Sequence, residues 1–522
     1  MKRLHLCLVE VLALLVLPLS SIGHSAAVVG DGRHIIEDST GADLLPRLYL
    51  QCADNLYCDD DAGNNRTRIR ALAGPTALYV CAATGSPCFA SASNPGTSPT
   101  ATLPCLQDAL DKLPGVLTAS TTIYVASGSF ACASESVNLS SGPLVTAFYI
   151  NKGVAAGYTL LIKGTNNVTA NSFTNVADNS GTSSGSNVNT YPVDGTGAVA
   201  ETTLNDTAKA WTVNTYVGGW VRLTGGTGWS DPASNPDADT DQNWYNIKSN
   251  TATQLSLSTR WRGTTPDATT TYEIYKRNNS KITASGMEYT MVIASSDNVK
   301  IENLDLGVPT VGAKRSIWAW RAKFVYRVSD VGVNAHQSVG TYAVYRNVSS
   351  YSGTQTQAVG NCGPSAYCVY DGFECRNFLN SCLTVIQGAY LWIRNAYAVS
   401  AVAGTGATAP FYGTMNGSMQ IENTLVSAPS GSPGLLMMDS GHLEILGNVR
   451  STCVSTAAGN LGVVLTMGAS MQTNGVNRAD LCNIGVRVGY QSTWVASTTP
   501  TYSGNTTNES VDASGTKSTT RY

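Results

Sequence analysis

The stretch YTMVIASSDNVKIENLDLGV, residues 289–308, contains two short runs of apolar residues separated by Ser, Asp and Asn. Runs of this kind, bounded by turn-forming residues, are typical of buried β-strands. The part VKIENLDL begins at residue 299, and similar words follow it: FVYRVSDV at 324, YAVYRNVS at 342, YCVYDGFE at 367, YLWIRNAY at 390, SMQIENTL at 418 and HLEILGNV at 442. The steps between them are 25, 18, 25, 23, 28 and 24 residues.

Repeats of this length, with one or two strands each and no helix between them, indicate a β-solenoid. A single coil cannot bury its inward Val, Ile, Leu and Phe, whereas stacked coils share one continuous core and pair every strand. A β-sandwich also contains many short strands, but a single sandwich rarely extends over more than about two hundred residues. We therefore predict an all-β solenoid.

An opening segment precedes the repeats: LYVCAATGSPCFASASNPGTSPTATLPCLQDALDKLPG, residues 78–115. Its pattern predicts a strand, a turn region and a short helix over 105–113. Four leucines recur at steps of 3, 4 and 3, which places them on one apolar stripe: Leu103, Leu106, Leu110 and Leu113. Because the first coil of a solenoid exposes the end of its core, terminal caps are needed for solubility. We expect this helix to be the cap rather than a partner-binding helix.

The same segment resembles the start of right-handed parallel β-helix proteins of the pectate-lyase-like superfamily, in which a phrase like YV…TGS…NPGT…T(L/I)Q.AL…PG precedes the first coil. The matching residues are Tyr79, Val80, Gly85, Asn94, Pro95, Gly96, Thr97, Leu106, Gln107, Ala109, Leu110, Pro114 and Gly115. Three cysteines, Cys81, Cys88 and Cys105, depart from the phrase. The resemblance covers residues 78–165 and, as a pattern only, 285–495. It implies an all-β, right-handed parallel β-helix with a short N-terminal capping helix, and an extracellular polysaccharide as ligand or substrate.

Residues 200–277 interrupt the repeats and hold five of the nine tryptophans. The words TLNDTAKAWTVNTYVGGWVRLTGG and IKSNTATQLSL resemble a small all-β module that is inserted in, or repeated through, phage virion and bacterial surface proteins. We expect an inserted module, looped out between coils after a connector rich in Ser, Thr, Gly and Asn. The predicted division is 1–27 signal peptide, 28–77 leader, 78–199 first coils with cap and connector, 200–277 inserted module, 278–495 main coils and 496–522 Ser/Thr-rich tail.

The N-terminus has Lys2 and Arg3, a short apolar run, and small residues at Ala26 and Ala27, a pattern typical of a secretory signal peptide. A retained N-terminal anchor is the alternative. No later segment is apolar for long enough to span a bilayer. The sequence therefore predicts a secreted or cell-surface protein, extracellular or periplasmic.

Charge excludes some partners. Only 13% of the residues are charged and the net charge is -3, so no basic surface for nucleic acid or anionic membrane is expected.

The chain has 13 cysteines, and Cys7 lies in the predicted signal peptide. An even set then remains, which in an oxidising compartment indicates disulfides rather than metal binding. Pairing of sequence neighbours is one connectivity among several: Cys52–Cys58, Cys81–Cys88, Cys105–Cys132, Cys362–Cys368, Cys375–Cys382 and Cys453–Cys482.

Three acidic residues alternate in one loop of the module, Asp237, Asp239 and Asp241. Such spacing can place oxygen ligands around Ca²⁺. The turn glycine and terminal Glu of an EF-hand are missing, so the alternatives are a generic calcium site and a solvated acidic loop. Ca²⁺ is the one possible cofactor.

Cleavage of a polysaccharide requires a carboxylate pair for hydrolysis or a base with charge neutralisation for β-elimination. The candidate catalytic residues are Asp330, His336, Asp371, Glu374 and Arg376. Because residues three apart on a strand point to opposite faces, Asp371 and Glu374 can share a groove only if a turn separates them. The motifs of polygalacturonases and pectate lyases are absent, so ordinary outward-facing polar residues are the alternative.

Sugar rings also stack on aromatic side chains, and the candidate carbohydrate-binding residues are Trp318, Trp320 and Trp392. The first two lie two apart and share one face of a strand, where packing against the module is the alternative.

Two functions remain open. One is binding or degradation of an extracellular polysaccharide or cell-surface glycan, by a polysaccharide lyase or glycoside hydrolase if the protein is an enzyme. The other is a non-catalytic adhesin or structural appendage. Fold does not decide between them, and both a monomer and a homotrimer are compatible with the sequence.

Overall fold

The structure is a computed structural model of the chain. It describes strands within residues 25–71, most of residues 75–164 and 202–519, and residues 172–173. Between 75 and 519 its gaps are 82–96, 98–101, 127, 140–141, 165–171, 174–201, 217–218, 231–242, 258–260, 262–265, 276–279, 308, 311–314, 332–335, 352–359, 377–380, 400–408, 429–430, 448, 454, 476 and 499. The predicted signal peptide and most of the connector lie outside the described residues.

The described chain is almost entirely β. The strands before the module are β1 Ser25–Val29, β2 Arg33–Glu37, β3 Leu56–Asp61, β4 Arg66–Ala71, β5 Ala77–Val80, β6 Val116–Leu117, β7 Thr121–Val125, β8 Gly128–Ala131, β9 Glu135–Leu139, β10 Gly142–Ile150, β11 Gly153–Val154 and β12 Leu160–Gly164. The strands of the module are β13 Ser172–Phe173, β14 Thr202–Asn205, β15 Trp220–Gly225, β16 Trp244–Asn250, β17 Gln254–Leu257 and β18 Thr271–Tyr275.

The strands after the module are β19 Ser280–Thr283, β20 Tyr289–Ala294, β21 Val299–Glu302, β22 Asp305–Leu306, β23 Arg315–Trp320, β24 Lys323–Val331, β25 His336–Val339, β26 Tyr342–Tyr351, β27 Gly360–Cys362, β28 Tyr367–Asp371, β29 Glu374–Arg376, β30 Leu383–Val385, β31 Tyr390–Arg394, β32 Tyr397–Val399, β33 Phe411–Gly413, β34 Ser418–Glu422, β35 Leu425–Ala428, β36 Pro433–Met437, β37 His442–Gly447, β38 Val449–Cys453, β39 Leu461–Leu465, β40 Ser470–Thr473, β41 Asn477–Asp480, β42 Ile484–Val488, β43 Thr493–Ala496, β44 Thr501–Ser503, β45 Thr507–Val511 and β46 Thr516–Ser518.

Strands of successive coils pair in parallel, so the predicted parallel β-helix is confirmed. Each coil from β27 to β44 runs through a strand of a 12-stranded sheet and then two strands of a 22-stranded sheet, and the last described coil has one strand in each, β45 and β46. The register moves forward by one coil at each step: Tyr342 pairs with Tyr367, and Tyr367 pairs with Tyr390. Side chains of one column are therefore about 4.8 Å apart along the helix axis.

The bends between the strands use left-handed backbone. Gly372 has a φ of 67°, and Asn395 and Asn423 take its place in the next two coils with φ of 52° and 43°. Asn is one of the few residues with a side chain that tolerates this conformation. The Asn423 side chain donates to Asn395 Oδ1 at 2.7 Å, so the bends of neighbouring coils are tied together.

The core is one continuous cluster inside the coils. It contains three large aromatic residues of successive coils, Tyr326, Tyr345 and Tyr370, each with no exposed area. The rings of Tyr345 and Tyr370 stack with centroids 4.6 Å apart. The recurring sequence words therefore place similar side chains at the same position of successive coils, where they stack inside the solenoid.

The opening helix α1, Leu106–Asp111, begins after Cys105. Asp108 Oδ2 accepts a hydrogen bond from the Cys105 N–H at 3.1 Å, which satisfies one of the donors at the helix start. All four leucines of the predicted stripe are buried: Leu103, Leu106, Leu110 and Leu113. They join the core cluster of the coils, as a capping helix requires.

The inserted region forms a separate six-stranded antiparallel sheet, in the order β13-β18-β15-β16-β17-β14. Its own core includes Trp211, Tyr245, Trp261 and Tyr272. β13 joins this sheet although it lies in the stretch predicted to be a connector. Strand β16 contacts β26 of the solenoid.

The C-terminal stretch differs from the predicted tail, because 496–522 supplies β44, β45 and β46, which pair in parallel with the preceding coil. In this last coil, inward positions carry polar groups: Glu509 follows Val486, and Lys517 follows Trp494. Lys517 Nζ forms an ion pair with Glu509 and lies 4.4 Å from the centre of the Trp494 ring. The Ser, Thr and charged residues of this coil give its inward positions the polar character of a terminal cap.

The structure contains disulfides between Cys105 and Cys132, Cys362 and Cys368, and Cys453 and Cys482. Cys81 is also disulfide-bonded, and its partner lies outside the described residues. Cys52, Cys88 and the side chain of Cys58 lie outside them as well.

The predicted disulfide between Cys375 and Cys382 is wrong, because both residues are thiols in the structure. Both are fully buried, and burial, followed by the hydrogen bond with Cys375, raises the pKa of the Cys382 thiol. Disulfide formation needs a thiolate, which this core disfavours.

We expect Cys375 and Cys382 to resist iodoacetamide in the native protein at pH 8 and to react fully after unfolding, because the protonated thiol is a poor nucleophile. Peptide mass spectrometry measures both states, and Cys362 and Cys368 serve as controls that react only after reduction. Recovery of a Cys375–Cys382 disulfide from native protein would contradict the expectation.

Candidate functional site

The candidate site lies on the outer face of the 22-stranded sheet. The first outward position of five successive strands forms a column: Tyr342, Tyr367, Tyr390, Ser418 and His442. A second column runs beside it through Val344, Val369, Trp392, Gln420 and Glu444. The side chains between these columns point into the core, so the two columns lie on the outer side of the coils, where Val344 and Val369 are nevertheless buried.

The three tyrosines of the first column are stacked on one another. The ring centroids of Tyr342 and Tyr367 are 5.2 Å apart and those of Tyr367 and Tyr390 are 4.9 Å apart, with interplanar angles of 4° and 11°. The Lys323 ammonium lies 5.7 Å from the Tyr342 ring centre and covers the outer end of the stack. Tyr367 thus has a tyrosine ring on each of its faces, and Tyr390 is the last ring of the stack.

Ser418 interrupts the stack at that point. Its side chain is too short to cover the Tyr390 ring, and the next ring of the column is His442, two coil spacings or about 9.5 Å from Tyr390. We call the space above Ser418, between Tyr390 and His442, the Ser418 slot. Its width leaves room for one ring-shaped ligand between two side-chain rings.

Polar groups border this slot. The Tyr390 hydroxyl donates a hydrogen bond to Gln420 Oε1, and the His442 Nδ1 and Ser470 Oγ atoms share a hydrogen bond of 2.9 Å. Burial raises the pKa of Tyr390, and the nearby Tyr367 and the Glu444 carboxylate raise it further. Tyr390 therefore remains a neutral donor at physiological pH, with the Glu444 carboxylate close to its hydroxyl.

A third column contains an ion pair between neighbouring coils. Arg394 Nη2 lies 2.9 Å from Asp371 Oδ2, and Asn395 Nδ2 donates to Asp371 Oδ1 at 2.7 Å. Asp371 is 4% exposed. The Arg394 guanidinium also lies 4.9 Å from the centre of the Trp392 ring. The Asp371 carboxylate is thus held by two partners.

The other candidate catalytic residues lie apart from one another. Gly372 bends the chain after Asp371, so Glu374 and Arg376 lie on the next strand, β29. Asp330 is in register with Ser349, and Ser349 with Glu374, which places Asp330 and Glu374 in one column two coils apart. His336 lies on β25 in the 12-stranded sheet. The structure therefore does not bring the five together, and among them only the side chain of Asp371 is described.

The three candidate tryptophans also lie on two sheets. Trp318 and Trp320 are on β23 of the 12-stranded sheet, where Trp318 is 8% exposed and its ring contacts Tyr289 with centroids 5.4 Å apart. The Arg321 guanidinium lies 5.6 Å from the Trp320 ring centre. Trp392 alone lies on the surface that contains the Ser418 slot.

Asp237, Asp239 and Asp241 lie outside the described residues, so the calcium site stays a prediction. Within the described ranges, no three His, Cys, Asp or Glu side chains are grouped to hold a metal ion. In the same ranges no helix is long and apolar enough to cross a membrane.

Sequence reasoning missed the first column, although its signal is present. Aligned at their first letters, the words YAVYRN, YCVYDG, YLWIRN, SMQIEN and HLEILG place Tyr, Tyr, Tyr, Ser and His in one column. The break at Ser418 is visible in that alignment.

The chain is thus a parallel β-helix protein with a candidate ligand slot on one outer face. No family model and no curated protein matches it. Solved structures similar to it include the tailspike protein gp49 from Pseudomonas phage LKA1, with 10% identity over 78% of this chain and 71% of that chain and a TM-score of 0.24. The Pseudomonas phage phi297 tailspike gp61 has 11% identity over 76% and 72%, with a TM-score of 0.28. The catalytic domain of a GH87 alpha-1,3-glucanase in complex with nigerose has 11% identity over 68% and 96%, with a TM-score of 0.30. Similarity this low carries no information about ligand or activity.

Proposed function

We propose that the protein binds an extracellular polysaccharide, with one sugar ring in the Ser418 slot. The observation that carries the proposal is the interrupted stack: Tyr390 stacks on Tyr367, and the next position of the column is the short side chain of Ser418. The C–H face of a pyranose packs on an aromatic ring by burying apolar area. Polar side chains lie beside the slot: Gln420, His442 and Glu444. Their planar polar groups can bond sugar hydroxyls, and an aromatic face with a few polar groups is the usual composition of a ligand site.

The extracellular location is part of the proposal. Three disulfides join described residues, and such bonds persist in oxidising compartments. Binding is favoured over cleavage because the candidate catalytic carboxylate Asp371 is paired with Arg394 and Asn395. A non-catalytic appendage without a glycan ligand is the competing function.

The test fills the slot with the residue that the column lacks. Ser418→Tyr extends the tyrosine stack by one ring, so we expect it to fold normally and to weaken polysaccharide binding about two- to tenfold, the equivalent of one stacking contact. Thr493→Tyr is the matched control, because Thr493 lies in the same column beyond Ser470. Affinity electrophoresis against a panel of polysaccharides measures both variants.

Three results decide the proposal. Retention of the wild type and of Thr493→Tyr, with loss for Ser418→Tyr, supports it. Equal retention of both variants contradicts the slot, and no retention of any protein on any polysaccharide contradicts glycan binding. Release of reducing ends or unsaturated products in the same samples would replace binding by degradation.

A further inference from the structure

We propose that the polysaccharide runs along the axis of the solenoid and that a second sugar ring stacks on Tyr490, three coils beyond Ser418. The inference rests on the proposed function and deepens it, because it adds a second contact site and limits the ligand to extended chains. The observations that carry it are the alignment, the exposure and the backbone conformation of a line of turns beside the slot.

A β-turn joins the 12-stranded sheet to the 22-stranded sheet in each of five successive coils. In each turn the backbone N–H of the fourth residue donates to the carbonyl oxygen of the first, at 3.0 to 3.3 Å. Both central residues have φ between 46° and 75°, which are the left-handed values of a type I′ turn. We call the first central positions of these turns the turn ridge: Gln387, Met415, Asp439, Met467 and Tyr490.

The turn ridge lies directly beside the column that contains the slot. Each ridge residue comes three positions before a member of the first column, so Met415 precedes Ser418 and Tyr490 precedes Thr493. Backbone hydrogen bonds of 2.8 to 3.2 Å join the second central residue of one turn to the first central residue of the next. The ridge therefore runs parallel to the axis, and Tyr490 lies about 14 Å along it from the coil of Ser418.

Three of the five ridge residues are large, apolar and exposed. Met415 and Met467 are each 52% exposed and Tyr490 is 67% exposed. Among the described residues, no large hydrophobic side chain is more exposed than Tyr490. Single exposed apolar residues are ordinary on a protein surface, whereas three of them in one line indicate a contact surface.

The backbone of the turn ridge disfavours these residue types. Type I′ turns prefer Asn, Asp and Gly at their central positions, because a bulky side chain is strained in left-handed backbone. Asp439 fits this preference, whereas Met415, Met467 and Tyr490 oppose it with φ of 52°, 54° and 46°. Strain of this kind clusters at binding and active sites. A contact made by the side chains therefore accounts for residue types that the turn itself disfavours.

The dimensions of the ridge favour a chain of sugars over a protein partner. Each partner of a stable protein interface contributes about 800 Å² of surface. Tyr490, at 67% exposure, offers roughly 100–150 Å², and the polar Asp439 separates Met415 from Met467 along the ridge. A line one side chain wide, with the Tyr390 ring near one end and the Tyr490 ring at the other, matches an extended polysaccharide.

The test uses the left-handed backbone to separate stability from binding. Tyr490→Asn introduces a residue that tolerates this conformation, so it should not lower the Tm, while it should weaken polysaccharide binding about two- to tenfold, as expected for one stacking contact. Tyr158→Asn is the matched control, because Tyr158 is 40% exposed and lies between β11 and β12, before the module. Affinity electrophoresis with dextran, laminarin, xylan and pullulan measures binding, and scanning calorimetry measures the Tm.

Ligand length gives a second readout. Partial acid hydrolysis of the polysaccharide that the wild type retains yields oligomers of increasing length, and isothermal titration measures their affinities. The shortest oligomers occupy the slot alone, so Tyr490→Asn should leave their affinity unchanged. Its effect should appear only for oligomers that span the distance of about 14 Å to Tyr490, whereas Ser418→Tyr should weaken binding at every length.

The results separate the inference from the proposed function. Weaker binding of Tyr490→Asn, confined to long oligomers, supports both. Unchanged affinity of Tyr490→Asn for long oligomers, or an equal loss in Tyr158→Asn, overturns the second contact and leaves the slot intact. An equal loss at every length also overturns it, because the shortest oligomers cannot reach both positions. Self-association of the wild type that Tyr490→Asn abolishes, with sugar binding unchanged, would assign the ridge to contact between copies instead. Retention of no polysaccharide by the wild type contradicts the proposed function itself.

Discussion

Asp480→Asn is expected to lower the stability of the solenoid by about 3 kcal/mol, because it leaves a buried guanidinium without its counter-charge. Arg450 and Asp480 are both 0% exposed. Arg450 Nε donates to Asp480 Oδ2 at 2.7 Å, and Arg478 Nε lies 2.6 Å from Asp480 Oδ1. Burial lowers the pKa of Arg450 and Asp480 opposes that shift, so removal of the carboxylate leaves the desolvation cost unopposed.

The control for this variant is another Asp–Arg pair of the same region. Arg487 and Asp512 are 3.3 Å apart with side chains 44% and 32% exposed, so Asp512→Asn should cost less than about 1 kcal/mol. Urea unfolding measures the stability of both Asn variants, and hydrogen exchange of the backbone amides in β38 and β41 measures the local effect. Joint replacement of Arg450 and Asp480 by Leu should recover most of the loss. Equal effects of the two Asn variants would show that the buried pair does not stabilise the fold.

The fold could be predicted because each coil of a solenoid repeats the same pattern of apolar residues, so the period is visible in the sequence. The words beginning at 299, 324 and 342 each place apolar residues at the positions that face the core, and stacking needs no long-range pairing rule beyond the next coil. The leucine stripe of α1 was predictable for the same reason, since its spacing alone defines one face.

The site could not be predicted in full, because the repeated pattern does not show which side chains of each strand point out of the solenoid. Tyr342 and Tyr345 belong to one word and lie three residues apart, so they point to opposite faces, one exposed and one buried. The catalytic hypothesis used closeness in sequence, whereas the bend at Gly372 separates Asp371 from Glu374. The polar composition of 496–522 suggested a tail. The same composition is also compatible with a coil whose inward positions carry polar groups, so composition alone could not distinguish the two.

That last coil leads to the second large effect. Replacement of Glu509 by Val together with Lys517 by Met is expected to turn the polar end of the solenoid into an adhesive one, so that the protein associates end to end or precipitates. The two residues stand over Val486 and Trp494, which are 2% and 0% exposed, and the Tyr502 hydroxyl donates to Glu509 Oε1 at 2.8 Å. Without these charges the inward column stays apolar to its last member, and an exposed end of that kind pairs with another copy.

Sedimentation velocity over a range of concentrations measures this association. The wild type sets the reference distribution, and the Glu509→Val, Lys517→Met protein should shift to larger species as concentration rises. The matched control replaces an outer ion pair of the same region with the same residue types, Arg487→Met with Asp512→Val, which leaves the open end polar. If both double variants associate equally, added surface hydrophobicity is the cause. Association of the first alone identifies Glu509 and Lys517 as the groups that keep this coil from pairing with another copy.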